Sequence, residues 1–490
     1  MPLLSRITAE DAHRRRWELL ALTSIGAFMA PLDGSIVSVA LPVMSPDLGL
    51  SFAASMWVQA AYLLATAVLL IPMGRLADQH GRVRFYLIGI AVFTAGSLLA
   101  ALSMNGAWLI VSRVIQGGGA ALMVATSAAI VTAVFPPQER GRALGINIMA
   151  VYVGLSIGPP LGGILADTLG WRSIFLINLP IGLVVLVWGW MMLPQSKRVQ
   201  QAPRVDFAGA ALLGVFLISL LVPLTFAPEW GWVAPLTLTL VALAAVSLVG
   251  FVVVERRVDA PVLDLDLLVH NRLFAAANTA ALLNYMALYG IGLLTAIFLE
   301  VVQDRSAAVT GWLMLSQPLL MAVLSPFSGR LSDRVGSRVL ATGGMVTIAF
   351  GMALLAAMPT TAPVWQVAAD LAVVGLGMAA FSAPNTSAIM GSVRRDQLGV
   401  ASAFLGTMRT AGMALSVALL GGIAASQLGR LGGRLLFTHG RDGGAAGLAA
   451  QAVSGYAQGY RYAMLTGAVL ALVGAAVSLT RGAHEARARS

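Results

Sequence analysis

Long apolar runs follow one another along almost the whole chain. Each is about 20 residues long, enough for one helix to cross the hydrocarbon core of a membrane. In a membrane the backbone must satisfy its own hydrogen bonds, so such runs fold as helices. The sequence therefore predicts an all-α membrane protein with fourteen transmembrane helices, at roughly 17–41, 52–74, 84–102, 107–134, 142–166, 172–193, 206–227, 232–254, 272–300, 309–329, 338–358, 363–390, 398–424 and 460–480.

The composition argues against most enzyme chemistry. The 490 residues are 58% hydrophobic and 11% charged, against roughly 25% charged residues in a soluble domain. There is no cysteine, and all five histidines lie outside the apolar runs. A P-loop needs a lysine after its glycines, and the single lysine, Lys197, has no such neighbours. We therefore expect no enzyme activity, no ATP-driven pump, no metal site and no cofactor.

The positive charge is distributed by loop. The net charge is +10, but Lys and Arg alternate between loops and form no single patch. With the N-terminus inside, 23 of them fall on the cytoplasmic side, six fall outside, and Arg113 and Arg409 fall within spans. This asymmetry is what the positive-inside rule predicts. We expect both termini in the cytoplasm, a multi-pass protein of the cell (inner) membrane, and no nucleic-acid partner.

A ten-residue pattern occurs twice and indicates an internal duplication. It runs from Gly74 to Val83 and again from Gly329 to Arg338, with glycine, aspartate and arginine at matching positions. The copies follow the second and the tenth run, so two helices are inserted between the halves of a twelve-helix core. We predict a six-helix half at 1–198, two inserted helices at 199–258 and a second six-helix half at 259–490.

Four further stretches, with this pattern, resemble the major facilitator superfamily, in particular its fourteen-helix drug/proton antiporter branch. Leu32–Pro42 resembles the helix-1 signature, with Ser38 where Asn is usual. Arg113–Ala121 resembles the helix-4 motif, Gly154–Gly163 the helix-5 antiporter motif, and Trp171–Pro180 the entry to helix 6. The resemblance covers nearly the whole chain. It implies the major facilitator fold, whose halves are related repeats.

The resemblance also implies a function. We expect a monomeric secondary transporter that exports hydrophobic or amphiphilic drug-like compounds in exchange for protons, by alternating access. An alternative is the export or flipping of a lipid or lipid-linked molecule, which the long predicted outer loop at roughly 425–459 would suit. That loop is rich in glycine and alanine and could include a short interfacial helix.

Charges inside the spans are the strongest single-residue signals, because a charge in lipid is expensive and usually marks a pathway. Asp33 lies midway along the first run. Burial disfavours its charged form and a nearby cation favours it, so alternation between the two would bind and release a proton. Arg113 is the predicted cationic neighbour. A structural ion pair or a helix-end cap is the alternative for Asp33, and a purely structural role is the alternative for Arg113. Asp370 and Glu300 are weaker candidates for proton coupling; a site near the outer mouth is the simpler interpretation for Glu300.

The remaining candidates fall into three groups. The repeated loop pattern predicts a gating latch, in which an aspartate accepts hydrogen bonds from arginines; a static turn is the alternative. Its residues, with Arg409 as a further gating candidate, are Gly74, Asp78, Gly81, Arg82, Asp333, Arg334 and Arg409. In the helix-5 stretch, small residues at four-residue spacing allow close helix packing, and a proline bends the helix. This predicts a hinge and a tight seal against a facing helix, with ordinary small-residue packing as the alternative. The residues are Gly154, Gly158, Pro159, Gly162 and Gly163.

The third group consists of polar and aromatic residues on helices that we expect to line the substrate cavity. They are Trp57, Gln59, Tyr62, Asn147, Tyr152, Asn284, Tyr285, Tyr289, Gln317 and Asn385. Ordinary helix packing is the alternative for any one of them. Together they predict an apolar cavity with few charges, suited to binding varied apolar molecules.

Overall fold

The computed structural model describes residues 15–191, 205–258, 261–263, 265–394, 397–428, 432–433, 436–438 and 446–481. Within this part of the chain, fourteen helices are long and apolar enough to cross a membrane. We number them α1 to α14. Their bounds are Arg16–Asp47, Phe52–His80, Arg82–Ala101, Gly106–Val134, Pro137–Leu169, Ser173–Leu176 with Asn178–Met191, Phe207–Trp230, Pro235–Glu255, Arg272–Ile297, Ala307–Met314 with Ser316–Val335, Ser337–Ala357, Val364–Gly391, Leu398–Ser426 and Ala446–Leu479.

Two glycines make the turns of the repeated pattern. Gly81 has φ +112° and Gly336 has φ +87°, a backbone region that residues with a side chain rarely adopt. Most of each pattern is helical, because α2 continues to His80 and α10 to Val335. We call this end of the bundle the motif end. The opposite end, with the turns at Gly170 and Gly231, is the far end.

The last helix begins well before its predicted start at 460. The predicted outer loop of 425–459 is therefore wrong in its second part, since α14 begins at Ala446. This stretch is too rich in glycine and alanine to stand out by hydropathy, and packing holds it instead. The Tyr456 side chain is fully buried and its hydroxyl donates to the Leu294 carbonyl at 2.8 Å. Gly459 packs directly on the backbone of Ala424.

The duplication is visible in how the glycines pack. A Cβ on Gly119 would lie 2.8 Å from the Gly89 carbonyl oxygen, and one on Gly377 would lie 2.7 Å from that of Gly344. Gly117 packs on the Tyr62 carbonyl, and its counterpart Gly375 packs on the Gln317 carbonyl. In the same way, Gly154 packs on the Phe28 carbonyl and Gly412 on the Leu282 carbonyl. These matched contacts pair α1–α5 with α9–α13. They support the predicted two halves, whose boundaries stay a prediction.

The inserted pair, α7 and α8, packs beside α2 and α13. Phe226 of α7 stacks on Trp57 of α2, with 6.3 Å between ring centroids. Gly422 of α13 leaves room for the Leu224 carbonyl. At the motif end, Glu255 accepts the backbone N–H groups of Val262 and Leu263 at 3.2 and 3.1 Å. The inserted helices therefore occupy one side of the junction between the two halves.

The two halves meet closely at the far end. Gly163 of α5 packs on the Ala307 backbone of α10, and Gly311 of α10 packs on the Pro159 carbonyl. The same face of α5 continues toward the motif end through Ser156, Tyr152, Met149 and Gly145. There it is partly or fully exposed, with Met149 at 59%. The bundle is thus closed at the far end and open between the halves at the motif end.

Candidate functional site

A closed polar network lies inside the first half. Asp33 of α1 is fully buried and accepts an ion-paired hydrogen bond from Nη1 of Arg113 on α4. Its other oxygen, Oδ1, accepts from Gln116 Nε2 at 2.7 Å and from Asn178 Nδ2 at 3.0 Å. Ser97 accepts from the same two amide groups at 2.6 and 3.1 Å. Side chains from four helices, α1, α3, α4 and α6, therefore form one network around the Asp33 carboxylate.

Arg113 is held from several sides. Its Nε donates to the Val58 carbonyl at 3.1 Å and its Nη1 donates to Gln116 Oε1 at 2.5 Å. The guanidinium carbon lies 4.4 Å from the centroid of the Tyr62 ring and 5.8 Å from that of Phe175. A buried ion pair is stable only where the remaining polar atoms are also satisfied. These contacts satisfy Nε and Nη1 of Arg113, whereas its buried Nη2 has no hydrogen-bond partner among the described residues.

The described part of the second half has no such network. In the first half, Asn178 contacts Ser97 and Asp33. In the second half, Gly467 of α14 lies next to Met352 and Ala287, which occupy the matching positions. The matched glycine contacts, which pair α1–α5 with α9–α13, identify the residues that correspond to the other members of the network. The residues that correspond to Asp33, Ser97, Arg113, Gln116 and Asn178 are Ala287, Met352, Leu371, Val374 and Gly467. None of these five residues is ionisable, so the duplication has kept the ionisable site in one half only.

A hydrogen-bonded contact joins the halves next to Asp33. Gln59 of α2 donates through Nε2 to the Gly34 carbonyl at 3.0 Å, and the same nitrogen donates to the Tyr289 hydroxyl of α9. A Cβ on Gly34 would lie 3.2 Å from that hydroxyl, so the glycine allows the close approach. The contact closes the space between the halves one residue from the buried carboxylate.

On the motif side of this contact, aromatic hydroxyls and one cation face each other. The Tyr285 hydroxyl of α9 lies close enough to interact with three polar side chains. They are Arg409 on α13, Ser382 on α12 and Tyr152 on α5. Arg409 is near the middle of its helix and partly exposed. The predicted cavity residues Gln59, Tyr152, Tyr285 and Tyr289 thus come together between the halves, as does Arg409.

Other predicted cavity residues pack within one half or against the inserted pair. Asn147 donates to Ser127 at 3.1 Å, and Asn385 accepts from Arg481. Trp57 stacks on Phe226, as described above. Asn284 is fully buried, and neither polar atom of its side chain has a hydrogen-bond partner among the described residues. Tyr62 lies under Arg113, and Gln317 of α10 is partly exposed.

The two further acids lie toward the far end and apart from Asp33. Asp370 of α12 is 6% exposed, near Tyr460, and its Oδ2 has no hydrogen-bond partner in the described part of the chain. Glu300 lies in a π-helical turn, Phe298–Val302, at the end of α9. Its Oε1 is buried and similarly unpartnered, and Asp167 lies close by. The structure therefore places neither acid in the Asp33 network.

The glycine-rich stretch of α5 has two faces in contact. Gly154, Gly158 and Gly162 pack on α1, where a Cβ on Gly154 would lie 2.5 Å from the Phe28 carbonyl oxygen. Gly163 packs on α10 of the other half, as does the carbonyl of Pro159. Close by, Asp167 Oδ2 accepts the Ala308 N–H at 2.8 Å. This stretch therefore forms the contact between the halves at the far end.

The first copy of the loop pattern holds α2, α3 and α4 together. Arg82 donates through Nε to Asp78 Oδ1 at 2.6 Å and through Nη1 to the Ala129 carbonyl at 3.1 Å. A Cβ added to Gly74 would lie 3.5 Å from the Cβ of Ala125 on α4, so α2 and α4 pack closely there. In the second copy Arg334 is exposed. The side chain of Asp333 lies outside the described part, so its predicted contact stays a prediction.

We expect replacement of Asp78 by Asn to lower transport with little loss of stability. Both side chains of the pair are about one-third exposed, so losing it should cost about 0.5–1 kcal/mol in unfolding free energy. The released Arg82 would no longer tie α3 to α2 near the turn. Thermal unfolding and transport rate, measured on one preparation, test this. Glu18→Gln removes an exposed acid at the same end as a control. Equal effects of both substitutions would contradict a specific role for Asp78.

Sequence reasoning missed three members of the network. Gln116 follows Arg113 by one helical turn, and this spacing puts both on one helix face. Asn178 is a lone polar residue at the start of an apolar run. These two signals were available in the sequence. Ser97 offered none, because a serine in a membrane helix usually bonds its own backbone.

Comparison with known proteins agrees with the fold. A family model described as the Major Facilitator Superfamily matches residues 23–263 and 277–489. A solved structure described as a bacterial homologue of the human lysosomal transporter Spinster, inward-facing and unoccupied, superposes with a TM-score of 0.70. It covers 95% of this chain and 96% of its own, at 17% identity. That likeness supports the fold alone.

Of three curated relatives, two are named as transporters and one as a multidrug resistance protein. Multidrug resistance protein Stp of Mycobacterium tuberculosis (strain CDC 1551 / Oshkosh) is 36% identical over 84% of this chain and 77% of its own length. The probable actinorhodin transporter of Streptomyces coelicolor is 34% identical over 85% and 74%. Riboflavin transporter RibZ of Clostridioides difficile is 31% identical over 85% and 90%. The matches span most of both chains in each case.

Proposed function

Because this chain belongs to the major facilitator superfamily, a family of membrane transporters, we propose that it exports hydrophobic or amphiphilic small molecules in exchange for protons. The observation that carries the proposal is the fully buried Asp33–Arg113 network beside the contact between the halves. A buried ionisable group next to a moving interface is what proton coupling requires. The relatives named for multidrug resistance and for actinorhodin transport support the substrate class.

We place the motif end in the cytoplasm, with both termini, in the inner membrane. The positive-inside rule supports this, because most Lys and Arg residues belong to that side. With this orientation the structure is the inward-open state. A substrate enters from the cytoplasm or the inner leaflet and reaches Tyr152, Tyr285 and Tyr289 below the closed far end.

The proton acts through Asp33. With the far end open, a proton from outside neutralises the carboxylate and removes its charge pair with Arg113. Gly34, the next residue, accepts from Gln59, which also bonds Tyr289 of the other half. Changes at Asp33 are thereby coupled to closure of the far end. The membrane potential supplies about 2.3 kcal/mol per charge per 100 mV, enough to drive net export.

The Asp78–Arg82 pair and the α5 glycine stretch take the gating roles at the two ends. The pair acts at the motif end and holds three helices of the first half as one body. The glycine stretch gives the tight contact between α5 and α10 that limits leak at the far end. Asp333, Arg334 and the second pattern copy serve the other half in the same way. Asp370 and Glu300 are second-rank candidates for the proton.

Transport in proteoliposomes tests the proposal. The purified chain is reconstituted, a pH gradient is imposed, and three fluorescent dyes are followed: one cationic, one neutral and one sulfonated. A labelled phospholipid is followed in parallel. Gradient-dependent movement of a dye, lost when an ionophore collapses the gradient, is the expected result. Movement of the phospholipid alone would replace drug export by lipid export, and movement indifferent to the gradient would remove proton coupling.

A further inference from the structure

Arg409 lies in the wall of the opening between the halves. It is on α13, and the hydroxyl that it faces belongs to Tyr285 of α9, beside Ser382 of α12. Tyr152 approaches from α5 of the first half, on the partly exposed face that continues from Pro159 and Gly163 toward the motif end. Arg409 is itself partly exposed. A molecule entering from the motif end would therefore meet this guanidinium.

This arginine has no acidic partner in the described part of the chain. Among those residues no carboxylate forms an ion pair with Arg409, and its neighbours in the opening are neutral hydroxyl groups. Arg113 shows the opposite arrangement, donating to Asp33, Gln116 and a backbone carbonyl. A structural arginine inside a membrane protein normally has an acidic partner and further hydrogen bonds, as Arg113 does.

The other charges do not balance Arg409. Asp33 is fully buried and both of its oxygens are already taken by Arg113, Gln116 and Asn178. Asp370 lies toward the far end of α12, about three helical turns from Ser382. Glu300 is at the far end of α9, beyond the contact of Gln59 with Tyr289. Among the described residues, the open space therefore presents the positive charge of Arg409 without an acidic partner.

We propose that Arg409 anchors an acidic group of the substrate, so that the preferred substrates are amphiphiles with a carboxylate or another single anionic group. The guanidinium offers a planar pair of donors that fits a carboxylate. The Tyr285 hydroxyl adds a donor, and the rings of Tyr152 and Tyr289 give an apolar surface for the rest of the molecule. This assignment rests on the proposed export function and names its substrate class.

Binding measurements test the assignment without transport. The full chain is placed in lipid nanodiscs at pH 8 and titrated with dansylated undecanoic acid and, separately, with its uncharged methyl ester. Empty nanodiscs give the background. We expect the wild type to bind the acid about tenfold more tightly than the ester, the effect of hydrogen bonds to a charged group. Equal affinity for acid and ester would overturn the proposal, and this comparison needs no variant.

Variants then locate the preference. Arg409→Gln should bring the acid to the affinity of the ester and leave the ester unchanged, and Arg409→Lys should keep part of the preference. Arg461→Gln removes an exposed arginine of α14 and should leave both affinities as in the wild type. A preference that survives in Arg409→Gln would overturn the site. If the acid binds selectively but a pH gradient drives no dye in proteoliposomes, the proposed export function is wrong, whereas the anion site is supported.

Discussion

Replacement of Asp33 by Asn abolishes proton-driven transport and leaves substrate binding intact. The amide has nearly the shape of the carboxylate but cannot take up a proton, so the coupled cycle stops. Because the substrate is expected to bind in the opening beside Arg409 and the tyrosines, its affinity should change little. Gradient-driven dye uptake in proteoliposomes and dye binding in nanodiscs, measured on the same protein, separate the two effects. Asp33→Glu should keep some coupled transport.

The same substitution has a structural effect that a second variant isolates. Asp33→Asn would leave the buried charge of Arg113 without its partner, which destabilises a protein by about 3–5 kcal/mol. Removing that charge as well, in Asp33→Asn with Arg113→Gln, should restore much of the thermal stability. Transport should stay absent, because no proton carrier returns. A double variant that regains transport together with stability would show that Asp33 is a structural residue only.

The two acids of the second half provide the matched comparison. Asp370→Asn and Glu300→Gln each remove a carboxylate from a membrane helix, yet neither acid belongs to the Arg113 network. We expect both variants to retain gradient-driven transport. Loss of coupling in one of them, with coupling intact in Asp33→Asn, would move the proton site to that acid.

The fold was predictable because its signals are local. An apolar run of about 20 residues reports a helix wherever it lies, and fourteen were found where fourteen were expected. The helix breaks at Ile177 and Leu315 each lie three residues before a proline, Pro180 and Pro318. A proline removes the hydrogen bond to the carbonyl four residues before it, so the local sequence carries a signal for both breaks. The early start of α14 depends on packing against α13 and α9, which no single-helix pattern records.

The site was predictable only in part. Asp33 and Arg113 stood out because a charged side chain inside a membrane helix is energetically costly and usually functional. The structure brings the two together as an ion pair. Which uncharged residues complete the network is decided by how four helices meet, and this is a tertiary property. For the same reason Asn147 and Asn385 were indistinguishable by type from Gln59, although they pack within one half. The empty second copy of the network became visible only through the matched glycine contacts.

A valine at Gly163 should force the far end open. A Cβ there would overlap the Ala307 carbonyl oxygen on α10 of the other half, and the overlap is with backbone, which cannot move aside. Overpacking of this kind costs about 1–3 kcal/mol, so the ratio of far-end-open to far-end-closed molecules should rise roughly 5- to 150-fold. Transport should fall, because the cycle requires both states.

Spin-label distances measure this shift directly. The chain has no cysteine, so cysteines introduced at Met104 and Trp365 can be labelled alone. These positions are 79% and 71% exposed at the far end, one in each half. Gly163→Val should move the distance distribution between them to longer values. Gly343→Val is the control, since this exposed glycine of α11 has no neighbouring atom within 4 Å of an added Cβ. Unchanged distances in Gly163→Val, or equal shifts in both variants, would show that the α5–α10 contact does not hold the far end closed.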